Sequence, residues 1–315
     1  MKRLILLKFL LLILITSYGQ QIKTYNGVYE IKNKYNAFQN ANNHAVYQYY
    51  QDDKYNRIYQ GSFNLNNGEI VGRYFNNQRV GVWKWTIKNP DGFFYNVNGT
   101  KVKYVGNITT IYGTYKNGLR DGKWVYEKAE RISGKIIKKS IVTFKNDTII
   151  GPYNYLDLTK KLSDVESNFV VSGQFDSKGA LDGTWITKYY YNKFPCEDLR
   201  KYKNGILSFE VDRNLATGEV KETHNEADLV DKIIAYLDSS APESLKPVRD
   251  DEFNIKIDGE FYRLKSNLFN LSYSDTFLFW YYFPDKIQPE NEMFDYEVPG
   301  NKLSTVTIIK FIDKL

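Results

Sequence analysis

The sequence predicts a mainly β protein: an elongated antiparallel sheet of repeated β-hairpins followed by a small α+β unit at the C-terminal end. Two observations carry that prediction. The 315 residues include 27 Tyr and 19 Phe but only two Met, apolar groups that suit flat, half-buried pleated surfaces better than helix bundles. And one short pattern recurs four times: an aromatic residue, a polar turn, a Gly, and an aromatic two residues further on.

Residues 1–19, MKRLILLKFLLLILITSYG, run from the cations Lys2, Arg3 and Lys8 through a Leu/Ile stretch to the small residues Ser17 and Gly19. That series predicts a secretory signal peptide cleaved between Gly19 and Gln20, and hence export to the periplasm, cell surface or medium. Membrane association is expected only if the segment stays uncleaved, because its apolar run approaches the ~20 residues of a spanning helix. No Cys stands near the cleavage point, so lipoprotein-type acylation is not expected. Residues 20–58 are read as an N-terminal cap region.

The repeats occupy residues 59–220. Their anchors are Tyr74, Gly81 and Trp83; Tyr115, Gly122 and Trp124; Phe144, Gly151 and Tyr153; Phe175, Gly183 and Trp185. The segments read GRYFNNQRVGVWKW, GTYKNGLRDGKWVY, VTFKNDTIIGPYNY and GQFDSKGALDGTW. Each turn (Asn76-Asn77, Asn117-Gly118, Asn146-Asp147, Ser177-Lys178-Gly179) is built of residues that tolerate positive φ, so the chain can reverse tightly and return antiparallel. The anchor Gly is expected to leave room for a neighbouring ring to lie across the backbone, or to adopt a backbone shape that other residues resist. Extra length between the first two units falls around Asn89-Pro90-Asp91-Gly92 and Asn98-Gly99, and such insertions become loops or added hairpins. Weaker copies, YQGSFNLNNGEIVG and KYKNGILSFE, flank the array as caps.

These units resemble divergent members of the MORN-repeat superfamily, in the degenerate form found in bacterial exported or antitoxin-annotated proteins, over about residues 59 to 210. The third unit departs with Val142 for the leading Gly and Tyr153 for Trp, and the fuller Tyr-x-Gly-x-Trp opening of eukaryotic repeats is missing. The resemblance implies a single-layer antiparallel sheet of successive hairpins, and a scaffold or binding role rather than catalysis.

Residues 221–315 read as the α+β unit. Leu229, Val230, Ile233, Ile234 and Leu237 form an apolar stripe of helical period, with Asn225 as the expected N-cap and Pro242 and Pro247 closing the segment. FNIKIDGEFYRL places Asp258-Gly259 between two alternating arms, a hairpin signal. TFLFWYYF and STVTIIKFI follow as strands.

Composition excludes several chemistries. The formal net charge of +6 falls to +3 once Lys2, Arg3 and Lys8 leave with the leader, and the remaining cations are interspersed with acids, so no nucleic-acid groove is expected. The single Cys196 permits no internal disulfide and has no nearby His to activate it. His44 and His224 stand apart from any cluster at metal-ligand spacing, and the consecutive Asp250, Asp251 and Glu252 sit in a polar linker. Neither a metal nor a cofactor is expected, and no catalytic residue is assigned.

The aromatic stripe remains. Trp83, Trp85, Trp124 and Trp185, joined by Tyr74, Tyr115 and Tyr153, are either the core of the sheet or an exposed platform for a partner; Trp85 lies off the repeat and is the residue least accounted for by a core. The expected function is that of an exported, non-enzymatic interaction or structural protein of a bacterial cell envelope, binding a macromolecular partner through the repeat sheet. The alternative is a carbohydrate-binding protein that captures cell-surface glycan.

Overall fold

The computed structural model describes residues 21–29, 43–158, 161–162, 165–166, 169–239, 246–249, 252–257, 260–268 and 304–310. The leader, Asp250-Asp251, the Asp258-Gly259 turn and TFLFWYYF lie outside them. Among the described residues the fold is mainly β, with one long antiparallel sheet of 14 strands and a single short helix.

The sheet opens with β1 (Lys23–Val28), β2 (His44–Gln51), β3 (Arg57–Leu65), β4 (Ile70–Phe75) and β5 (Gln78–Asn89). A separate two-stranded hairpin follows, β6 (Gly92–Tyr95) with β7 (Lys101–Tyr104). The main sheet resumes with β8 (Asn107–Lys116), β9 (Leu119–Glu130), β10 (Ile136–Lys145) and β11 (Thr148–Asp157). After the two-residue strands β12 (Lys161–Leu162) and β13 (Val165–Glu166) it continues through β14 (Phe169–Phe175), β15 (Leu181–Tyr191), β16 (Phe194–Lys203), β17 (Ile206–Asn214) and β18 (Val220–Asn225). Each strand of the main sheet pairs antiparallel with the next. The region expected as a cap therefore supplies the first strands of this same sheet.

The repeated pattern has a backbone cause. Asn76, Asn77, Asn117, Gly118, Asn146 and Asp147 all have positive φ, which matches a two-residue reversal to the right-handed twist of the strands it joins. Beyond each turn the ladder slips at one place, between Val71 and Arg73, Tyr112 and Thr114, Ile141 and Thr143, and Ser172 and Gln174. Opposite these slips the returning strand bulges, and its bulge residues Gly81, Gly122, Gly151 and Gly183 sit at positive φ, a shape that costs an L side chain about 1–2 kcal/mol.

Here the structure separates the two roles expected of the anchor glycines. A Cβ on Gly81, Gly122 or Gly151 would meet nothing within 4 Å; these residues serve backbone conformation. The space for a ring lies instead at the glycine that opens each unit: Trp83 covers Gly72, Trp124 covers Gly113 and Trp185 covers Gly173, so closely that a Cβ would collide with the indole. Each indole N–H then donates to the carbonyl one residue beyond that glycine, on Arg73, Thr114 or Gln174 at 3.1 to 3.2 Å. In the third unit Val142 stands where the opening glycine would be, and the smaller Tyr153 stands where the indole would be.

Units join through the bulges. Gly81 pairs across strands with Tyr115, Gly122 with Phe144, Gly151 with Phe175 and Gly183 with Tyr202, so each bulge faces the leading aromatic of the following hairpin. The next turn docks back as well: Gly118 N–H donates to Arg79 O, Asp147 N–H to Arg120 O, and Gly205 N–H to Leu181 O. The result is a fixed register from unit to unit, of the kind that makes repeat stability a sum of neighbour terms.

At the C-terminal end, helix α1 (Ala227–Ser239) buries Val230 and Ile233. Asn225 is not its cap. It ends β18, paired with Phe209, and the first helical N–H groups, on Leu229 and Val230, donate to Glu226 O. Pro247 lies not in a break but in β19 (Lys246–Arg249), opposite Phe253 of β20 (Glu252–Ile257). Strands β20 and β21 (Glu260–Leu268) form the expected hairpin, and β22 (Ser304–Lys310) pairs with β21 and touches β17 in parallel at Ile206 and Val306. These four strands bring the sheet to eighteen.

Candidate functional site

The aromatic stripe is core. Trp83, Trp85, Trp124 and Trp185 are each at most 2% exposed. Trp85 stacks beside Trp83 with centroids 5.6 Å apart and lies 5.9 Å from Trp124. Tyr74 and Tyr115 meet the indoles edge-on, and Tyr153 stacks on Trp185. These rings touch between strands that are neighbours or next neighbours, so the sheet face is lined by its own side chains. Nothing of the four tryptophans remains for a partner to grip, and the reading of them as a binding platform falls on that burial.

Two buried cations, Arg79 and Arg120, went unrecognised although they hold the same place in successive units, two residues before the bulge glycine. Arg120 forms an ion pair with Asp147 at 2.9 Å and lies 4.2 Å from the Phe144 centroid. Arg79 donates to the Tyr115 hydroxyl at 3.2 Å and rests over Trp83, Trp85 and Tyr115. Each thus ties one unit to the leading aromatic of the next. A guanidinium can be buried this way because it is weakly hydrated and stacks on ring faces.

Near the C-terminal end of the array the same face turns polar. Asp198 of β16 stands across from Asp212 of β17. Arg200 binds Asp198 at 3.0 Å and Glu210 at 2.9 Å. Burial pushes the Asp198 carboxyl up to about 6 against the pull of Arg200, and burial also raises Asp212. The pair is a charge network of the sheet, sensitive to mild acid. Cys196 on the same strand is buried, its sulfur 3.6 Å from Phe194 O. Among the described residues no group of three or more His, Cys, Asp or Glu could hold a metal, and no helix is long and apolar enough to cross a membrane.

What the surface does present is the hairpin inserted between β5 and β8. Its base is clamped. Asp91 accepts from the Gly106 N–H at 2.6 Å and from Arg131 at 2.7 Å, while the Arg131 N–H donates to Gly106 O. A Cβ at Gly106 would strike the backbone of Asn89 to Asp91, so glycine permits the two legs to cross there. Its tip is equally ordered: Asn96 Oδ1 accepts from the amides of Asn98 and Thr100, and Gly99 takes the positive φ that closes the turn. Between base and tip, Phe93 is 57% exposed, Tyr95 is 68% exposed and Val97 is wholly exposed. Pairing of Phe93 with Lys103 and Tyr95 with Lys101 puts two rings and two cations on one face, and the Lys101 ammonium rests 4.2 Å from the Phe93 centroid. Nearby Ile132, in the β9–β10 turn that Asp91 holds, adds a further exposed apolar group.

A two-stranded hairpin is marginal on its own in water. Exposing its large rings while pinning both ends is an arrangement that favours contact with something else. Sequence reasoning put the function first on the sheet and gave it to the loops near Asn89 to Gly99 only if the Trp85 ring were enclosed; the alternating rings of GFFY and the alternating lysines of KVKY were the further signal it did not use. In the comparisons with known proteins, no protein-family model, no curated protein and no solved structure matches this chain.

Proposed function

We propose that this is an exported, non-enzymatic interaction protein of the bacterial cell envelope, in which the repeat sheet is a stiff scaffold and the inserted β6–β7 hairpin engages a macromolecular partner. The observation that carries the reading is the exposure of Phe93, Tyr95 and Val97 on a hairpin clamped at base and tip. The resemblance of the repeats to MORN units supports a scaffold role, and the basic-then-apolar series of residues 1–19 supports export. Aromatic anchors dominate interface energetics when a partner buries them. The test is capture from native-host envelope extract with wild-type protein and with Phe93→Ala/Tyr95→Ala. A partner retained by the first and lost by the second, at equal melting temperature, is the expected result; equal capture by both removes the hairpin from the function.

A further inference from the structure

The hairpin carries more than exposed rings. From Gly92 to Val105 the sequence GFFYNVNGTKVKYV contains two lysines and no acid, in a chain whose charges are otherwise mixed. Among the described residues β6 and β7 pair with each other and with no other strand. Every second residue of β7 therefore turns its N–H and C=O outward, a row of backbone groups ready to receive another strand.

Edge lysines ordinarily repel strands that would add there. They also select. On a strand laid along β7, side chains opposite Lys101 and Lys103 share one face at alternate positions, about 5 Å away. Apolar or basic groups there are disfavoured, whereas acidic ones are paired. The intervening positions fall opposite Val102 and Tyr104, which suit an apolar side chain. The rings of Phe93 and Tyr95 beyond the lysines extend the lysine-bearing face into an apolar margin.

We propose that β7 is the docking edge for an extended acidic segment of a protein partner, which adds as a strand with acidic side chains at alternate positions facing Lys101 and Lys103. This rests on the reading of the hairpin as the binding element and names the chemistry of what it binds. Main-chain hydrogen bonds supply affinity and the two lysines supply the choice of sequence, the division of labour usual in strand addition.

The experiment uses the whole protein and an end-blocked peptide of alternating Glu and Val, about eight residues long and so long enough for one strand. Binding is followed by calorimetry beside a Lys–Val peptide and two Glu–Val peptides N-methylated on one or the other alternate set of amides. The expected result is binding of Glu–Val, none of Lys–Val, and loss with one methylated isomer but not the other, since only one set faces the ladder. Lys101→Glu/Lys103→Glu should weaken Glu–Val binding on the order of tenfold or more and admit Lys–Val.

Equal binding of both methylated isomers would mean charge attraction without strand addition, and overturns the proposal. Binding of polygalacturonate by a hairpin that ignores the peptide would make the ligand an anionic glycan and overturn it too. So would concentration-dependent dimers abolished by Lys101→Glu/Lys103→Glu, which would make the occupant a second copy. If the Glu–Val peptide fails while Phe93→Ala/Tyr95→Ala still abolishes capture from extract, the acidic strand is refuted and the hairpin reading stands; if capture is also unaffected, both fall.

Discussion

Substituting Gly113 by Ala tests why the repeat looks as it does. The φ of Gly113 is one that any residue adopts, so the change introduces no backbone strain, but its Cβ would be driven into the Trp124 indole. Carbon atoms rest about 3.5–4.0 Å apart, and from that collision the ring must retreat by roughly 1.5 Å or more to regain the distance. Trp124 is fully enclosed, packs edge-on against Tyr115 and Phe144, and donates to Thr114 O at 3.2 Å. Overpacking of this kind costs about 1–3 kcal/mol, and loss of the indole hydrogen bond adds about 1 kcal/mol, giving roughly 2–4 kcal/mol in all. Gly122→Ala is the control. It meets no atom within 4 Å but sits at positive φ, so only the left-handed penalty of about 1–2 kcal/mol applies.

Urea melts of the two variants should therefore show Gly113→Ala the more damaging, with m-values unchanged. The third unit supplies the compensating change: where the leading residue is Val142, Tyr153 stands in the place of the indole. Gly113→Val with Trp124→Tyr should then be less destabilised than the sum of the single changes by at least about 1 kcal/mol. A Gly113→Ala no worse than Gly122→Ala, together with strict additivity in the double variant, would refute the notch as the reason for the glycine.

Trp85→Ala should cost about 3–5 kcal/mol, as for a large buried aromatic, while Phe93→Ala/Tyr95→Ala stays within about 1 kcal/mol of wild type, since exposed positions rarely matter more; thermal melts of both decide between core and surface. Arg120→Met takes the guanidinium from the carboxylate of Asp147, which is about one-third exposed and keeps the residue-120 backbone N–H, and should cost about 1–2 kcal/mol after discounting for solvent, seen as a lower urea midpoint. For Asp198 the folded value near 6 lies above the ordinary 3.8, so the folded chain binds the proton more tightly and stability from this group rises as the pH falls from about 7 towards 4. Asp198→Asn should flatten that part of the melting profile while Arg200 keeps Glu210; an unchanged slope argues against a buried carboxyl. For export, mass spectrometry of protein from the native host should find Gln20 at the N-terminus.

Much of the fold was legible because its causes are local. Asn-Asn, Asn-Gly and Asn-Asp tolerate positive φ at little cost, so the reversals could be read directly. The α1 stripe and the β20–β21 hairpin were visible for the same reason. Which glycine does what was not, because Gly72 and Gly81 are identical as letters and differ only in what lies above them: an indole over one, open space over the other. The Asn225 cap failed because β18 runs on to that residue and claims its backbone for Phe209. Arg79 and Arg120 drew no reading at all, since recurrence two residues before the bulge glycine does not by itself announce a ring face waiting across the strand.

The site itself was half legible, and the reason follows from the repeat. A unit that recurs must meet its own copy, so whatever recurs is consumed by unit-to-unit packing; Trp83, Trp124 and Trp185 recur and are buried. An inserted segment lies outside that packing, so its rings can stay free to meet a foreign surface. Trp85 breaks the repeat in type but not in place, since its strand still lies in the sheet between β4 and β8, and it is buried with the rest. Phe93 and Tyr95 break it in place. They lie on an added pair of strands outside the ladder, where the packing that buries the tryptophans of the array has no neighbour to offer them.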